Sequence, residues 1–160
     1  MTRAFVALGG NLGDVPETLR RALDALAALP RTRLVAHSRF YRTPPWGLRE
    51  QPPFINAAAE LETTLTPHQL LAAMLQIERD AGRVRAGERW GPRTLDLDIL
   101  HMDGEARYDK RLTLPHPRIA ERAFVLLPLA ELAPDLELSG QGRVDALLAL
   151  ADTTGCEPLP

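Results

Sequence analysis

The topology of this chain turns on the stretch "RWGPRTLDLDIL", Arg89 to Leu100. Its second half alternates leucine with aspartate at two residues, the side-chain period of a β-strand. Leu95, Leu97 and Ile99 are therefore expected to face a core, and Asp96 and Asp98 to share the opposite face. Extended to Met102, the segment reads as a fourth strand, and the chain before it supplies three more. Thr66-Pro67 opens a helix that Gly82 ends, with Leu71, Met74 and Leu75 as its apolar stripe. Phe54 to Leu61 and Arg33 to Tyr41 have strand length and composition, separated by the loop "RTPPWGLREQPP". Asp14 caps a helix that starts near Val15, with Pro16 in its first turn and Leu19, Ala22, Leu23 and Leu26 on one face. Arg3 to Gly9 is a short apolar strand, and "GGNLGD" follows as a turn. Strand, helix, strand, strand, helix, strand is the split βαβ order. It predicts an α+β, ferredoxin-like βαββαβ core with a mainly antiparallel sheet and helices packed on it. The patches "AFVLLPLAEL" and "RVDALLALAD" then read as C-terminal helical additions that cover the sheet.

At 160 residues the chain fits one domain spanning 1–160. A net charge of −2 argues against a general binder of nucleic acid or membrane surfaces. No apolar run approaches the ~20 residues that span a bilayer, and the start lacks a signal-peptide pattern. Cys156 is the only cysteine, so no internal disulfide can form, and a reducing cytoplasm is the expected compartment. A monomer is expected.

Two residues along a strand is roughly 6.6 Å, so Asp96 and Asp98 can hold hard cations between them. An isolated D-x-D is more often a solvated strand face. The surroundings shift that balance. Arg83, Arg85, Arg89 and Arg93 precede the pair, and Lys110, Arg111, His116, Arg118 and Arg122 follow it. Cations so dense repel one another unless a polyanion sits among them, and the guanidinium fork suits phosphate oxygens. Mg²⁺ is typically held by one or two carboxylates while phosphates fill its other positions. Acid beside base is thus what a Mg²⁺–nucleotide site requires. Glu78 falls within an apolar helix stripe, where it either marks the end of the stripe or faces a pocket. Trp46, Phe54, Trp90 and Phe124 could clasp a flat ring, although aromatics more often pack a core. Asn56 on an apolar strand offers an amide suited to the amide-like edge of a heterocycle. His37, His68 and His101 show no metal-ligand spacing. No Walker A loop, G-x-G-x-x-G or G-x-S-x-G appears.

Together with "FYRTPPWG", "FINAA", "RLTLPHPRIAERAFVLLPL" and the opening "ALGGNLGD", the central stretch resembles the 6-hydroxymethyl-7,8-dihydropterin pyrophosphokinase family of folate biosynthesis. The likeness runs from about Ala4 to Pro134; the C-terminal tail carries little of it. The resemblance implies transfer of the β,γ-diphosphate of ATP, the co-substrate, to the pterin hydroxymethyl oxygen, with release of AMP. It implies two Mg²⁺ ions on Asp96 and Asp98, with Arg83 and Arg93 joining these aspartates in catalysis. Arg83, Arg85, Arg93, Arg111, His116 and Arg122 match positions that hold ATP, mainly its phosphates. Trp90, Ile99 and Thr113, with Glu78 and Arg89, match positions lining the nucleotide site. Thr43, Pro44, Trp46, Phe54, Asn56 and Phe124 match the pterin pocket, where two aromatic positions sandwich the ring. The ferredoxin-like fold of the family agrees with the strand and helix order.

Three departures stand out. Phe54 replaces a frequent tyrosine, Pro117 follows His116 where an aromatic can occur, and Ala86 follows Arg85 where a lysine can sit. None touches the aspartate pair. The loops Pro44 to Pro53 and Gly82 to Pro92 are expected to close over both substrates and exclude water. The competing enzyme class is a palm-like, metal-dependent nucleotidyl transferase or cyclase, which leaves the pterin-pocket motif unexplained. An RNA-recognition module would need stacking aromatics on the first strand, which offers only Phe5.

Overall fold

A computed structural model describes residues 1–45, 50–82 and 94–160. In chain order its elements begin β1 (Thr2–Gly10), α1 (Val15–Ala27), β2 (Thr32–His37), β3 (Tyr41–Thr43), β4 (Phe54–Thr63), α2 (Pro67–Asp80) and β5 (Asp96–Met102). There follow a hairpin of β6 (Arg107–Tyr108) and β7 (Thr113–Leu114), a 3₁₀ turn at Ile119–Glu121, and α3 (Ala123–Leu132). The chain closes with β8 (Glu137–Leu138), β9 (Gly142–Arg143), α4 (Val144–Leu150) and β10 (Glu157–Pro158).

The expected order is present, with one strand split in two. β1 lies between β4 and β5, antiparallel to both, and the far edge of β4 is shared by β2 and β3. Arg33 to Tyr41 does not run as one strand because Ser38 interrupts it. The Ser38 hydroxyl accepts the Ala58 N–H at 2.9 Å and donates to the Arg39 carbonyl at 2.7 Å. A side chain thereby takes a ladder position that backbone would otherwise fill, and the chain bends before rejoining β4 as β3. β1 in turn runs one residue past its expected end at Gly9: Gly10, expected in the turn, pairs with β4 opposite Ile55, next to Gly9 opposite Asn56.

The helix boundaries follow their signals. Asp14 accepts the Glu17 N–H at 3.3 Å, and Thr66 and Gln69 form a reciprocal capping box on α2. Gly82, at a φ of 87°, takes the left-handed conformation after the α2 C-cap. The apolar stripe of α2 is one position out of the expected phase. Leu70, Met74 and Ile77 are buried with Glu78, whereas Leu71 and Leu75 are only partly covered.

The two faces of the sheet carry separate cores. On one face α1 and α2 pack against Val6, Leu8, Leu61, Leu95, Leu97 and Ile99. On the other, α3 and its neighbours pack around Phe5, Leu100, Ile119, Leu126 and Leu129. The second face is covered at that end only. Where β1, β4 and β5 continue beyond it, Asn56 is buried on β4, Asp96 is half-covered and Asp98 exposed on β5, and this is where the polar residues collect.

α3 is fixed to the sheet edge by a partly solvated polar anchor. Tyr41 donates its hydroxyl to Glu131 at 2.6 Å, and Arg39 reaches the same carboxylate through its backbone N–H at 2.9 Å and its Nε at 3.1 Å.

Candidate active site

Directly opposed residues of an antiparallel pair share a sheet face. Gly9 is opposed by Asn56 on β4 and by Asp96 on β5, so Asn56, Gly9 and Asp96 form one row across three strands. Ala7 repeats the pattern one step along, between Ala58 and Asp98. Asn56 and the aspartate pair therefore stand on one face, with backbone separations of roughly 10 Å set by two strand spacings. The β1 residues between them are glycine and alanine, so the floor between amide and carboxylates is nearly flat. That is room for a planar ligand.

On the β5 side, Leu95, Leu97 and Ile99 are buried in the α1–α2 core and leave Asp96 and Asp98 on the open face, half-covered and exposed respectively. The strand between them is held from behind. Glu78, 2% exposed, accepts the Leu97 N–H at 2.7 Å. It fixes the peptide that links the two aspartates.

An imidazole and a guanidinium, His116 and Arg122, approach this pair. His116 is tethered to β5 by its own N–H, which donates to the Leu100 carbonyl at 2.9 Å. Its Nδ1 accepts the Arg118 N–H at 3.2 Å, which leaves Nε2 as the ring donor of the neutral imidazole. Burial pushes its pKa below the usual imidazole value; Asp98 opposes that shift, and Arg122 and Arg118 reinforce it. Burial also lowers Arg122, against the pull of Asp98. Among the described residues Asp98 is the leading charge acting on both, so the carboxylate, the imidazole and the guanidinium are near neighbours. Arg122 lies over the Phe124 ring at 5.8 Å, joining the cationic side to an aromatic wall.

On the β4 side, Thr43 donates its hydroxyl to the Asn56 Oδ1 at 2.7 Å, and both residues are buried. This bond orients the amide. A Cβ on Gly9 would collide with the Asn56 Nδ2, so glycine is what allows the amide to lie across β1. Pro44 follows Thr43, and Phe54, opposite Thr43 in register, is half-buried at the start of β4. Asn11 ties the end of β1 to the far end of the proline loop by donating to Gln51 at 2.9 Å and to the Pro52 carbonyl at 3.0 Å.

The expected residues thus divide into groups. Asp96, Asp98, His116, Arg122 and Phe124 come together, and Thr43, Pro44, Phe54 and Asn56 form the adjoining end of the same face. The Ile99 side chain does not join them: it is buried on the opposite face, which leaves only its backbone to line a nucleotide site. Arg111 is exposed in the β6–β7 turn, where Asp109 accepts its N–H at 2.9 Å, and Thr113 begins β7 beside β5. Trp46, Arg83, Arg85, Arg89, Trp90 and Arg93 lie outside the described residues, as do Ala86, residues 46–49 of the first expected closing loop and all of the second beyond Gly82. The sequence reading missed Gly9, Asn11 and the Tyr41–Glu131 anchor. Only the glycine carried a signal, as a residue without a side chain at the end of an apolar strand.

The site suits oxygen-loving cations. Among the described residues no group of three or more acids, histidines or cysteines forms a complete metal cage. Two carboxylates on one strand face, opposite cationic groups, instead match an ion whose remaining ligands come from a substrate polyphosphate.

A ferredoxin-like sheet with a paired-carboxylate face and an adjoining amide pocket defines the class as a small-molecule phosphotransferase. A family model described as 7,8-dihydro-6-hydroxymethylpterin-pyrophosphokinase (HPPK) matches residues 5–134, and the chain belongs to this family. A relative from Methylorubrum extorquens, a 2-amino-4-hydroxy-6-hydroxymethyldihydropteridine pyrophosphokinase, is 52% identical over 157 residues, 98% of each chain. The protein of the same name from Pseudomonas aeruginosa is 51% identical over 99% of this chain and 97% of its own. Among solved structures, an HPPK-DHPS in complex with substrates superposes with a TM-score of 0.72 at 11% identity, over 94% of this chain and 45% of that one. At that identity the likeness carries the fold alone, and this chain spans less than half of the larger protein.

Proposed function

We propose that this chain transfers the β,γ-diphosphate of ATP to the hydroxymethyl oxygen of 6-hydroxymethyl-7,8-dihydropterin, releasing AMP, as a step of folate biosynthesis. The observation that carries the reading is the row Asn56–Gly9–Asp96, which sets an oriented amide and a carboxylate pair on one flat face. Membership of the pyrophosphokinase family supports it, and so do the names of the full-length relatives. A palm-like nucleotidyl transferase would leave the Thr43–Asn56 pocket without a purpose.

In this reading Thr43 sets the Asn56 amide to pair with the amide-like edge of the pterin, while Phe54 and Phe124 flank the ring and Trp46 and Pro44 complete the wall. Asp96 and Asp98 hold two Mg²⁺ ions. Bound there, Mg²⁺ supplies charge neutralisation and orientation for the triphosphate. Arg122 and the neutral His116, through its Nε2–H, donate to phosphate oxygens. Arg83, Arg85, Arg93 and Arg111 reach the same chain of phosphates, with Arg83 and Arg93 the donors for charge that develops in the transition state. Arg89, Trp90, Thr113 and the Ile99 backbone border the nucleoside, while Glu78 acts from behind β5 through its bond to Leu97. The hydroxymethyl oxygen forms a bond to the β-phosphorus as the bond from that phosphorus to the α–β bridging oxygen breaks. The bridging oxygen leaves with AMP, and the hydroxyl proton passes to solvent. Positioning and charge stabilisation carry most of such a reaction, so no general base is assigned.

The working unit is one domain over residues 1–160, a cytoplasmic monomer acting on small molecules. A net charge of −2 and a single cysteine support this, and among the described residues no helix is long and apolar enough to cross a membrane. The test is incubation with ATP, Mg²⁺ and the hydroxymethyl pterin, followed by nucleotide analysis. AMP in step with pterin diphosphate supports the reading; ADP or free diphosphate would overturn it.

A further inference from the structure

β3 is only three residues long, yet it carries Thr43 and leads into Pro44. Short edge strands fray unless something holds them. Along one edge β3 pairs with β4, placing Tyr41, Arg42 and Thr43 opposite Asn56, Ile55 and Phe54. Its other edge is covered by the end of the chain. β10 pairs with it antiparallel, with Glu157 opposite Arg42 and Pro158 opposite Tyr41. The Leu159 N–H donates to the Phe40 carbonyl at 2.8 Å, and Arg42 donates to Glu157 at 2.8 Å.

The turn that delivers β10 presses on the pocket itself. Asp152 accepts the Thr154 N–H at 2.9 Å, and the Cys156 N–H donates to the Thr153 carbonyl at 3.0 Å. Between them Gly155 sits at a φ of 82°, where a Cβ would stand 2.9 Å from the Pro44 Cγ. Backbone therefore lies flush against the proline ring, with no space for a side chain. All of this lies beyond residue 134, where the family match ends.

We infer that the C-terminal turn and strand are a positioning element of the pterin pocket, with Gly155 seating Pro44 and Glu157 holding Arg42, so that Thr43 keeps its bond to Asn56. Neither residue touches substrate. The inference rests on the reading of Thr43, Pro44, Phe54 and Asn56 as the pterin site.

Gly155→Asn separates packing from backbone strain, because asparagine tolerates positive φ but brings a Cβ against Pro44. The KM for pterin is expected to rise roughly 5- to 20-fold, the scale of a sub-ångström to ångström misplacement. The KM for ATP and the melting temperature should stay close to those of the parent chain. Glu157→Ala removes only the ion pair and should shift the same constant in the same direction by less. Should Gly155→Asn fail to fold, Glu157→Ala gives the same readout. Asn56→Ala is the control for the pocket. A pterin KM raised by Asn56→Ala but unmoved by both tail variants overturns the inference and leaves the pocket standing. A pterin KM unmoved in all three overturns both. If the two KM values and the melting temperature move together in the tail variants, the tail serves only stability, and the inference fails.

Discussion

The carboxylate of Glu78 accepts the backbone N–H of Leu97 at 2.7 Å, within the protein core and directly between Asp96 and Asp98 in sequence. A helix residue thus holds the peptide from which both candidate metal ligands project. Glu78→Ala leaves that N–H buried without this acceptor, a loss of about 1–3 kcal/mol. In a chain of this size the melting temperature should drop by roughly 3–10 °C. Glu78→Gln keeps an acceptor oxygen and should recover part of the loss. Thermal unfolding of the two variants checks the order; equal losses would show that the carboxylate is not acting as acceptor for Leu97.

Asp98 is exposed, and among the described residues its charge is the largest one acting on both His116 and Arg122. Asp98→Ala should leave the fold intact, with a melting temperature close to that of the parent chain. Formation of AMP should fall by more than about 100-fold, since even residues behind a metal ligand alter activity by 10- to 100-fold. Turnover and unfolding measured on the same preparation separate the two effects. Near-normal turnover would remove Asp98 from the site.

Gly9 lies between Asn56 and Asp96, and a Cβ there would meet the Asn56 amide nitrogen. Gly9→Ala must therefore displace the amide or open the β1–β4 ladder. The KM for pterin should rise about tenfold or more, in keeping with an ångström-scale shift of a recognition group. Gly13→Ala is the useful contrast: its φ is 74° but nothing lies within 4 Å of a Cβ, so it strains the backbone away from the pocket. It should lower stability slightly and leave the pterin KM alone.

These contrasts show which features were legible in the sequence. The Asp96–Asp98 face was, because a strand alternates strictly and the flanking leucines name the buried side. The helix starts at Asp14 and Thr66 were, because a cap is a local bond over three residues. The break at Ser38 was not: it depends on Ala58, which is distant in sequence and close only across the sheet. The phase of α2 was ambiguous for a related reason. Leu70 and Leu71 are adjacent and equally apolar, and only the sheet selects Leu70, the phase that turns Glu78 inward toward Leu97. Gly155 was invisible as a site residue and Gly9 gave only the hint of a missing side chain at a strand end, because each matters through what a side chain would strike, Pro44 in one case and Asn56 in the other.

The anchor between Tyr41 and Glu131 makes a prediction about acid stability. Burial raises the Glu131 carboxyl, but the Tyr41 hydroxyl and the backbone and guanidinium of Arg39 outweigh it and leave the pKa below the usual glutamate value. A carboxyl depressed in the folded state stabilises the fold at pH values above its unfolded pKa, near 4.3, and loses that contribution as pH falls through its folded pKa. Glu131→Gln should therefore be less stable than the parent chain at pH 7, by about 1 kcal/mol for a partly solvated charged hydrogen bond. The difference should shrink below about pH 4, where the native carboxyl is itself becoming protonated. Denaturant unfolding of both proteins at pH 7, 5 and 3.5 measures it. A gap that stays constant down to pH 3.5 would mean that Glu131 contributes by packing rather than by charge. Because Tyr41 is opposite Asn56 in register, the acid-weakened anchor should also loosen the pocket end of β3, raising the KM for pterin before the molecule unfolds.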